Sequence, residues 1–574
     1  MIRLRAATLA IALAAAAAVV LSVNGQTATS LTPLDIEAVG LGAVEEHTAI
    51  WSEERAAQQL VRARTTTGAG GASRIGAFHR SYTPGRVIVR FRDNVEMPER
   101  RSVARLASST AEVRARSAYA DFDIVEIDPA ENPEAVATAL NARPEVVYAQ
   151  ASYHVHATFK PNDPRYADLQ WNLPLVDLER AWDIQPQAGS DVTVAVVDSG
   201  VAYLTGTLTA NIPSFRFEGR TYPALGRQVI PFAAAPQLVG GAGAGRIVKP
   251  FDAISNGANP PIDLDGHGTH VSGTIGQLTN DNIDVAGVAF NVKLMPVKVL
   301  GSLWDVVFGS SPFIGGSDDD VARGVRYAVD NGAKIINMSL GSSGPPDCAT
   351  SSTRPGCAPV IESAIRYAVC TGPKTTTCSG NGAFVVVAAG NEFEDVDPDF
   401  GANPTSVIAE IASRIDGAIS VASVDPSKSR SFFSSTGNYI EIAAPGGSSR
   451  GFGRGGFVFQ QTLDFCFSDT FDLPSPSCPT LNYGPPRFDV LSLIGYTGTS
   501  QATPHVSGIA AMLVQQGITD PAAIEKALEQ SATKLPVTSD PCPRGQTAAA
   551  GRTCSFGYGL VNARNALRGL GLAR

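Results

Sequence analysis

The feature that most constrains the fold is a set of continuous apolar runs in the later two thirds of the chain. They contain mainly Val, Ile and Ala without polar alternation: VTVAVVD (192–198), VKLMPVKVL (292–300), KIINMSL (334–340), AFVVVAAGN (383–391) and AISVAS (418–423). Such runs are typical of strands buried on both faces of a parallel sheet. Helix candidates lie between them, such as DDDVARGVRYAVDNG (318–332) with its acidic start and glycine stop. From about residue 160 onward the sequence predicts one large α/β domain with a parallel sheet, interrupted by Pro- and Gly-rich insertions at 205–262, 342–380 and 447–490.

Length and charge narrow the class of protein further. The chain has 574 residues, with 45 basic and 54 acidic side chains and a formal net charge of −9. A chain of this length contains more than one structural unit. Its acidic balance argues against a nucleic-acid binder that depends on neutralising phosphates. A hydrophobic fraction of 44% excludes global disorder. We therefore expect a folded protein of several units that has no nucleic acid as a partner.

The N-terminus has the pattern of a secretory signal peptide. Arg3 and Arg5 precede an apolar run from Ala6 to Val23, and Gly25 is small enough for a signal-peptidase site. The alternative is an uncleaved membrane anchor, because the run is just long enough to span a bilayer. The weak membrane preference of alanine favours the cleaved signal. We expect residues 1–25 to be removed and the mature protein to be secreted, extracellular or periplasmic, with no stable membrane anchor.

Two further segments precede the α/β domain. Residues 26–80 are polar and Ala-rich, end in TTTGAGGASR, and are typical of a flexible linker. The next segment predicts strands at RVIVRF, FDIVEID and VVYAQAS and a helix at PEAVATALNA. This pattern indicates a small α+β unit that contains no group of residues suited to catalysis.

The eight cysteines are too few to hold a fold together, but export would permit disulfides. They fall as four local couples in loop-like sequence, so nearest-neighbour pairing is the leading hypothesis: Cys348–Cys357, Cys370–Cys378, Cys466–Cys478 and Cys542–Cys554. A Cys-x-x-Cys zinc pattern is absent.

Three reactive side chains stand at strand ends or helix starts of the α/β domain. Asp198 ends VTVAVVD, His267 lies in GHGTHVSGT, and Ser500 lies in GTSQATPHVSG. Sites in parallel sheets lie beyond the carboxyl ends of the strands. A histidine can remove the proton of a serine hydroxyl, and a carboxylate can orient that histidine. The backbone N–H of Ser500 and the side-chain amide of Asn391 are candidate donors to an oxyanion.

These blocks resemble the subtilisin-like serine proteases. VAVVDSG, GHGTHVSGT, AAGN and GTSQATPHVSG occur in that family's order of Asp, then His, then Ser. The resemblance spans about residues 160–570 and implies Asp198, His267 and Ser500 as the triad and Asn391 as the oxyanion amide. It also implies two strands that flank the pocket for the substrate's primary side chain: Ser339, Leu340 and Gly341 on one, and Ala388, Ala389 and Gly390 on the other.

The sequence departs from the family pattern at two places. Asp198 and His267 are separated by 267 − 198 = 69 residues, more than in compact relatives, so extra surface is expected beside the cleft. Gln501 follows the serine where many relatives carry Met. His270 and His505 are interpreted as structural, since the spacing of a zinc-protease motif is absent.

The small α+β unit resembles the ferredoxin-like inhibitory propeptide of the same family. This resemblance implies residues 81–157 as an intramolecular inhibitor and residues 158–574 as the peptidase domain, with PNDPRYADLQWNLPL near the mature N-terminus. It also implies an autoprocessed zymogen that is cut between about 153 and 161. We expect a monomer whose partners are protein or peptide substrates.

A loop with the sequence QLTNDNIDVAGVA (277–289) is similar to a calcium loop of the family. The resemblance implies a structural Ca²⁺ held by Asp281, by Asp163 from the mature N-terminus, and by the carbonyls of Thr279, Ile283 and Val285. The acid that the family carries some nine residues after the catalytic aspartate is missing. An ordinary acidic surface loop is therefore the alternative interpretation. No cofactor is expected for catalysis.

Two other functions are alternatives to an endopeptidase. An exported esterase of the α/β-hydrolase type would need Gly-x-Ser-x-Gly, but Gly498-Thr499-Ser500-Gln501-Ala502 lacks the second glycine. The chain order of its triad would also differ. A catalytically dead binding protein would have lost a triad residue or the oxyanion asparagine, and all four are present.

Overall fold

The computed structural model describes residues 34–35, 82–153, 159–240, 245–345, 348, 357–370, 382–397, 401–470, 482–537, 540–543 and 545–569. The chain divides into two compact units. One comprises Arg64–Thr158, and the other comprises Met1–Ala63 together with Phe159–Arg574. The predicted signal peptide and nearly all of the predicted linker lie outside the described residues.

The smaller unit is an α+β domain. Its elements are β1 (Tyr82–Phe91), α1 (Met97–Ala107), β2 (Glu112–Val113), β3 (Asp123–Glu126), α2 (Pro133–Asn141) and β4 (Val146–Tyr153). The strands form one antiparallel sheet in the order β2-β3-β1-β4. Along β1 the side chains of Val87, Val89 and Phe91 are buried and those between them are not. One face of the sheet therefore carries the core, as the period of two requires.

Helix α1 was not among the predicted elements. Its sequence, MPERRSVARLA, is rich in charge, and only Val103 and Ala104 of it are buried. So few apolar side chains among so many charged ones resemble a solvated, irregular segment. Packing against the rest of this unit, which the sequence does not reveal, decides that it forms.

The larger unit is built on a seven-stranded sheet in which every neighbouring pair is parallel. The strands, in chain order, are β5 (Thr193–Asp198), β6 (Phe251–Asp252), β7 (Lys293–Lys298), β8 (Ile335–Met338), β9 (Phe384–Ala388), β10 (Ala418–Val424) and β11 (Ile442–Pro445). Their order in the sheet is β6-β7-β5-β8-β9-β10-β11. All five predicted apolar runs are strands of this sheet, so the parallel α/β class is confirmed. The short edge strands β6 and β11 were not predicted.

Helices cover the sheet and complete a single core. They are α3 (Leu178–Ile184), α4 (Pro236–Val239), α5 (His267–Gly276), α6 (Leu303–Phe308), α7 (Asp318–Asp330), α8 (Pro359–Ala368), α9 (Val407–Ala412), α10 (Thr499–Gln515), α11 (Pro521–Ser531) and α12 (Ala563–Arg568). Every residue of β8, β9, β10 and β11 is buried, so both faces of the sheet are covered. Helix α10 packs on the central strands and against α5.

The insertions form small sheets beside the central one. In the first, Gly206–Ile212 pairs antiparallel with Gly226–Phe232, and Phe215–Phe217 pairs with Arg220–Tyr222 and with the two-residue strand Leu34–Asp35. In the third, β12 (Val458–Leu463) and β13 (Leu491–Tyr496) form an antiparallel hairpin. Within the described part of the chain, no helix is long and apolar enough to cross a bilayer.

The disulfide hypothesis is confirmed for two of the four couples. Cys348 is bonded to Cys357, and Cys542 is bonded to Cys554. Cys370 and Cys466 are also disulfide-bonded, but Cys378 and Cys478, their predicted partners, lie outside the described residues.

Candidate active site

Asp198 ends β5 at the point where the strand order of the sheet reverses. Strand β7 pairs with one edge of β5 and β8 with the other, and such a switch point opens a crevice at the carboxyl ends of the strands. The Asp198 side chain is fully buried, and its Oδ1 accepts a hydrogen bond from the Ser199 backbone N–H at 2.7 Å. The fold therefore places this carboxylate where a site is expected.

His267 is the first residue of α5, and it reaches Asp198 directly. Its Nδ1 lies 2.7 Å from Asp198 Oδ1. A Cβ atom at Gly268 would lie 2.1 Å from the Gly200 carbonyl oxygen and 3.1 Å from Asp198 Oδ1, so only glycine lets the helix start approach the strand end this closely. With the Nδ1 proton donated to the carboxylate, Nε2 is the basic nitrogen of the ring.

A buried carboxylate that the sequence analysis did not single out holds the start of α5. Oδ1 of Asp263 accepts hydrogen bonds from the Ser199 hydroxyl at 3.0 Å and from the backbone N–H of Gly266 at 2.9 Å. Its Oδ2 accepts from the backbone N–H and the hydroxyl of Thr269. An acid four residues before the histidine was the available sequence signal. Asp263 thus fixes the glycine-rich loop that presents His267.

Ser500 lies in the first turn of α10 and is bound reciprocally to the segment after β8. The Ser500 hydroxyl donates to the Ser339 carbonyl at 3.2 Å, and the Ser339 hydroxyl donates to the Ser500 carbonyl at 2.9 Å. The Ser500 carbonyl is available because Pro504, four residues later, has no N–H to bond it. Helix α10 begins at Thr499, so Pro504 is its sixth residue and lies beyond the first turn.

Asn391 is oriented by the residue that precedes the serine. Its Oδ1 accepts hydrogen bonds from the Thr499 backbone N–H at 2.8 Å and from the Thr499 hydroxyl at 3.0 Å. The carbonyl end of the amide therefore faces Thr499, and Nδ2 is the end that could donate to an oxyanion. Thr499 was missed from the sequence because a threonine before a serine has no signature of its own.

The two predicted pocket segments leave neighbouring strands, β8 and β9. A Cβ atom at Gly341 would lie 3.1 Å from Ser406 Oγ, and one at Gly390 would lie 3.3 Å from Ser406 Cβ. The buried side chain of Ser406, which the sequence analysis did not identify, thus lies between the two segments. A Cβ atom at Gly390 would also clash with the side chains of Glu392 and Ser435, so only glycine fits there.

His270 and His505 are buried and bonded within the protein. Burial lowers the pKa of His270 to about 3 and that of His505 to about 4. Nε2 of His270 lies 3.1 Å from the Val458 carbonyl oxygen, and Nδ1 of His505 lies 2.8 Å from the Gln501 carbonyl oxygen. Neutral, internally bonded imidazoles of this kind agree with the structural role predicted for both residues.

The predicted calcium loop lies against the segment that contains Asp163. The Asn280 backbone N–H donates to Asp163 Oδ2 at 2.8 Å, whereas the buried Oδ1 has no hydrogen-bond partner among the described residues. Burial raises the pKa of Asp163, and the nearby Asp281 carboxylate contributes to that rise. Of the predicted carbonyl ligands at Thr279, Ile283 and Val285, the Val285 oxygen already accepts a hydrogen bond from Gln277.

Gln237, on the inserted helix α4, completes this group of oxygens. Its Nε2 lies 3.0 Å from Asp281 Oδ2, and its Oε1 is buried with no hydrogen-bond partner among the described residues. A neutral amide thus stands beside Asp281, while the family's usual acid after the catalytic aspartate is missing. Two orphaned oxygens beside a carboxylate are the environment that a hard cation satisfies. The donor set fits calcium.

Comparison with known proteins agrees with this geometry. A family model described as "Subtilase family" matches residues 189–559, more than half of the 574 residues, and a model of the fervidolysin N-terminal prodomain matches residues 75–152. A thermophilic serine proteinase of Bacillus sp. (strain AK1) is 28% identical, with 85% of this chain and 88% of that protein covered. An extracellular protease of Xanthomonas campestris is 30% identical, with 76% of this chain and 62% of that protein covered.

A protease structure from Pseudoalteromonas arctica superposes with a TM-score of 0.46 at 27% identity and covers 71% of this chain and 99% of that one. The family assignment rests on the sequence matches. The chain therefore belongs to the subtilase family of serine endopeptidases and carries an N-terminal prodomain.

Proposed function

We propose that this chain is an exported endopeptidase that hydrolyses peptide bonds in proteins through Asp198, His267 and Ser500. The observation that carries the proposal is the 2.7 Å contact between His267 Nδ1 and Asp198 Oδ1 at the switch point of the sheet. Ser500, the second residue of α10, lies on a helix that packs against the helix begun by His267. A catalytically dead protein is the less favoured alternative, because all three of these residues and Asn391 are present.

The proposed reaction has two halves. Ser500 Oγ attacks the carbonyl carbon of the substrate's peptide bond while its proton passes to His267 Nε2, and His267 then gives that proton to the leaving amine. This leaves an acyl group on Ser500. Water attacks the acyl carbon with the same histidine as base, which releases the acid and restores the hydroxyl. Asp198 stabilises the imidazolium formed in each half.

The negative charge on the substrate's carbonyl oxygen needs two donors. The Ser500 backbone N–H, in the first turn of α10, is one of them, since the first N–H groups of a helix have no intrahelical acceptor. The Asn391 side-chain amide is the other, with its opposite end held by Thr499. Donors placed in advance act without reorganisation during the reaction.

The substrate is proposed to be an extended polypeptide. Ser339, Leu340 and Gly341 and Ala388, Ala389 and Gly390 would flank its primary side chain, with Ser406 between the two glycines. Prodomain residues 81–157 are proposed as the first occupant of this cleft and as an intramolecular inhibitor. Relatives named as extracellular proteases support export of the mature enzyme, for which we propose a monomer.

Calcium is proposed as a structural ion that takes no part in catalysis. Asp163, Asp281 and Gln237 would supply side-chain oxygens, and Thr279, Ile283 and Val285 would supply carbonyls. The ion would tie the mature N-terminus to the loop that follows α5.

A chelator should therefore lower the melting temperature of the mature enzyme, because the ion stabilises only the folded state. Asp163→Asn should lower that temperature to the same extent and remove the effect of the chelator. Asp191→Asn, a change of an exposed aspartate on the same unit, is the control. A chelator effect of equal size in wild type and Asp163→Asn would contradict this site.

The function itself is tested by labelling. The protein is assayed on casein, inactivated with a serine-directed fluorophosphonate, digested, and analysed by mass spectrometry. The label is expected on Ser500, and Ser500→Ala should lose both label and activity. Activity that survives in Ser500→Ala, or a label on another serine, would reject the proposal.

A further inference from the structure

A buried lysine lies directly behind the proposed triad. Lys298 is the last residue of β7 and is in register with Asp198 on β5. Its side chain is 3% exposed, and its Nζ donates to the Ser199 carbonyl at 2.6 Å, the Ile262 carbonyl at 3.3 Å and Asp305 Oδ2 at 3.0 Å. An ammonium group has three N–H donors, so these three bonds use all of them.

The two carbonyls belong to the chain segments that carry the Asp–His pair. Ser199 follows Asp198, and its backbone N–H holds the Asp198 carboxylate at 2.7 Å. The Ser199 hydroxyl accepts a hydrogen bond from the backbone N–H of Gly268, the residue after His267, at 2.9 Å. A shift of the Ser199 peptide would therefore move both members of the pair.

Ile262 belongs to the other segment. It precedes Asp263, whose carboxylate accepts hydrogen bonds from the Ser199 hydroxyl and from the backbone N–H groups of Gly266 and Thr269. The two segments also meet at the backbone, where the Val201 N–H donates to the Pro261 carbonyl at 3.2 Å. The ammonium of Lys298 thus joins the chain after one catalytic residue to the chain before the other.

The anion beside Lys298 is itself held in place. Asp305 is the third residue of α6, and its Oδ2 accepts from the backbone N–H and hydroxyl of Ser302, both at 2.8 Å, in a capping box. Burial disfavours the ammonium, but Asp305 and Asp263 outweigh that effect and raise the pKa of Lys298. The lysine therefore stays charged across the working range of a protease.

We propose that Lys298 is a positioning residue of the Asp198–His267 pair, which acts by clamping the Ser199 and Ile262 carbonyls together. The inference rests on the proposed function of Asp198 and His267. The clamp is the pair of bonds to the two carbonyls, and Asp305 Oδ2 accepts the third N–H of the ammonium without being part of the clamp.

The test separates the clamp from the ion pair. Lys298→Met alone leaves the Asp305 carboxylate buried without its cation, which is destabilising. Lys298→Met combined with Asp305→Asn removes both charges and keeps an oxygen at 305 for the α6 cap. Asp305→Asn alone keeps the clamp. Lys293→Met, five residues earlier on β7, removes a 43% exposed lysine from a surface pair with Asp191 and is the matched control.

Each protein is titrated with a fluorophosphonate, and kcat is expressed per reactive serine. For the double variant we expect a melting temperature above that of Lys298→Met but below wild type, because the buried carboxylates of Asp263 and Asp252 lose a nearby cation in both proteins. We expect its kcat to be lowered 10- to 100-fold and its KM to change less than twofold. The acidic limb of its kcat/KM profile should move to lower pH, because a looser Asp198 contact stabilises the imidazolium less. Asp305→Asn and Lys293→Met should keep kcat within twofold of wild type.

A double variant with wild-type kcat and pH profile would overturn the proposal and leave Lys298 a structural ion pair. An equal loss of kcat in Asp305→Asn would also overturn it. If the variants yield no mature enzyme, the melting temperature of the unprocessed chain decides. A double variant that melts well above Lys298→Met supports the clamp. An equally large drop in melting temperature in both proteins that carry Lys298→Met refutes it. Failure of the proposed function is distinguishable, since wild type would then be inactive or unaffected by Ser500→Ala.

Discussion

At the scale of single residues, Asn391 gives the most direct test of the oxyanion site. Asn391→Leu keeps a similar volume but removes the amide donor. We expect kcat to fall by about 10²–10³, or about 3–4 kcal/mol, with little change in KM, because the bond forms only in the transition state. Steady-state kinetics on a peptide substrate measure both constants. A lower kcat/KM that comes only from a higher KM, with kcat unchanged, would show that Asn391 binds substrate in the ground state.

Gln501, which follows the proposed nucleophile Ser500, is a second residue with a predictable effect on stability and activity. Its side chain is fully buried, and neither Oε1 nor Nε2 has a hydrogen-bond partner among the described residues. A buried amide without partners costs about 1–3 kcal/mol. Gln501→Met should therefore stabilise the protein by an amount of that order, measured by thermal or urea unfolding.

Peroxide should barely affect wild-type activity but should inactivate Gln501→Met, because methionine becomes a bulky polar sulfoxide.

The matched control for this change is Gln170→Met. Gln170 is equally buried, but its amide is satisfied by Ala286, with bonds of 2.6 Å from its Nε2 and 2.7 Å to its Oε1. In Gln170→Met the same kind of change should lower stability, since it leaves the Ala286 N–H without an acceptor and leaves the Ala286 carbonyl with only the 3.4 Å bond from Gln460. The interpretation of Gln501 is rejected if both variants shift stability in the same direction, or if peroxide inactivates wild type as fast as Gln501→Met.

At the scale of elements, three glutamates meet between α11 and the start of β11. Carboxylate oxygens of Glu441, Glu525 and Glu529 lie within 4.8 Å of one another. Arg552 Nη1 is 3.4 Å from Glu441. Burial raises the pKa of Glu525 to about 7, and it raises the pKa values of Glu441 and Glu529 as well. Raised pKa values mean that the folded protein binds protons at these carboxyl groups up to a higher pH than the unfolded chain does.

The sign of the pH effect follows from proton binding. Between about pH 4.5 and 7 the three glutamates bind more protons in the folded state than in the unfolded state. The free energy of unfolding therefore falls as pH rises through that window. Glu525→Gln keeps an acceptor for the Gly417 N–H, which now bonds Glu525 at 2.5 Å. Between pH 5 and pH 8 the free energy of unfolding of Glu525→Gln should change by about 1–3 kcal/mol less than that of the protein that retains Glu525.

These measurements belong in a Ser500→Ala background, where self-digestion is absent. Glu362→Gln on α8, a carboxylate paired with Arg366 on the same helix, is the control and should leave the pH slope unchanged. An unchanged slope in Glu525→Gln would mean that the cluster is ionised in the folded protein.

At the scale of the whole molecule, maturation is the prediction that joins the separate parts of the chain. The proposed signal ends near Gly25, a prodomain model matches residues 75–152, and the proposed nucleophile is Ser500. If the enzyme cuts its own chain, Ser500→Ala should accumulate as a precursor that begins near Gln26. Wild type should lose roughly its first 155 residues, in a step independent of protein concentration because the substrate is intramolecular. N-terminal sequencing of both proteins measures this.

The host for that experiment must lack other exported proteases. A Ser500→Ala protein that still emerges cut between 153 and 161 would show that another enzyme activates this one. A wild-type rate that rises with concentration would show cleavage between molecules.

The sequence by itself determined the class of the fold and the residues proposed for the chemistry. Buried parallel strands appear as unbroken apolar runs, so all five predicted runs became strands of the sheet. Helix α1 was not predicted because its sequence is rich in charged residues and it buries only Val103 and Ala104. The triad candidates stood out because their blocks occur in one order along the chain, and contact between two of them, Asp198 and His267, appears in the structure.

Only the tertiary structure decided what surrounds those residues. Thr499 orients Asn391 across more than 100 residues, Gln237 reaches the predicted calcium loop from an insertion, and Lys298 joins two loops from a neighbouring strand. None of these side chains has a periodic or motif signal, because a hydrogen bond between distant segments depends on the register of strands and the packing of helices. A local pattern records which face of an element is buried. Which polar groups meet there is a property of the folded chain.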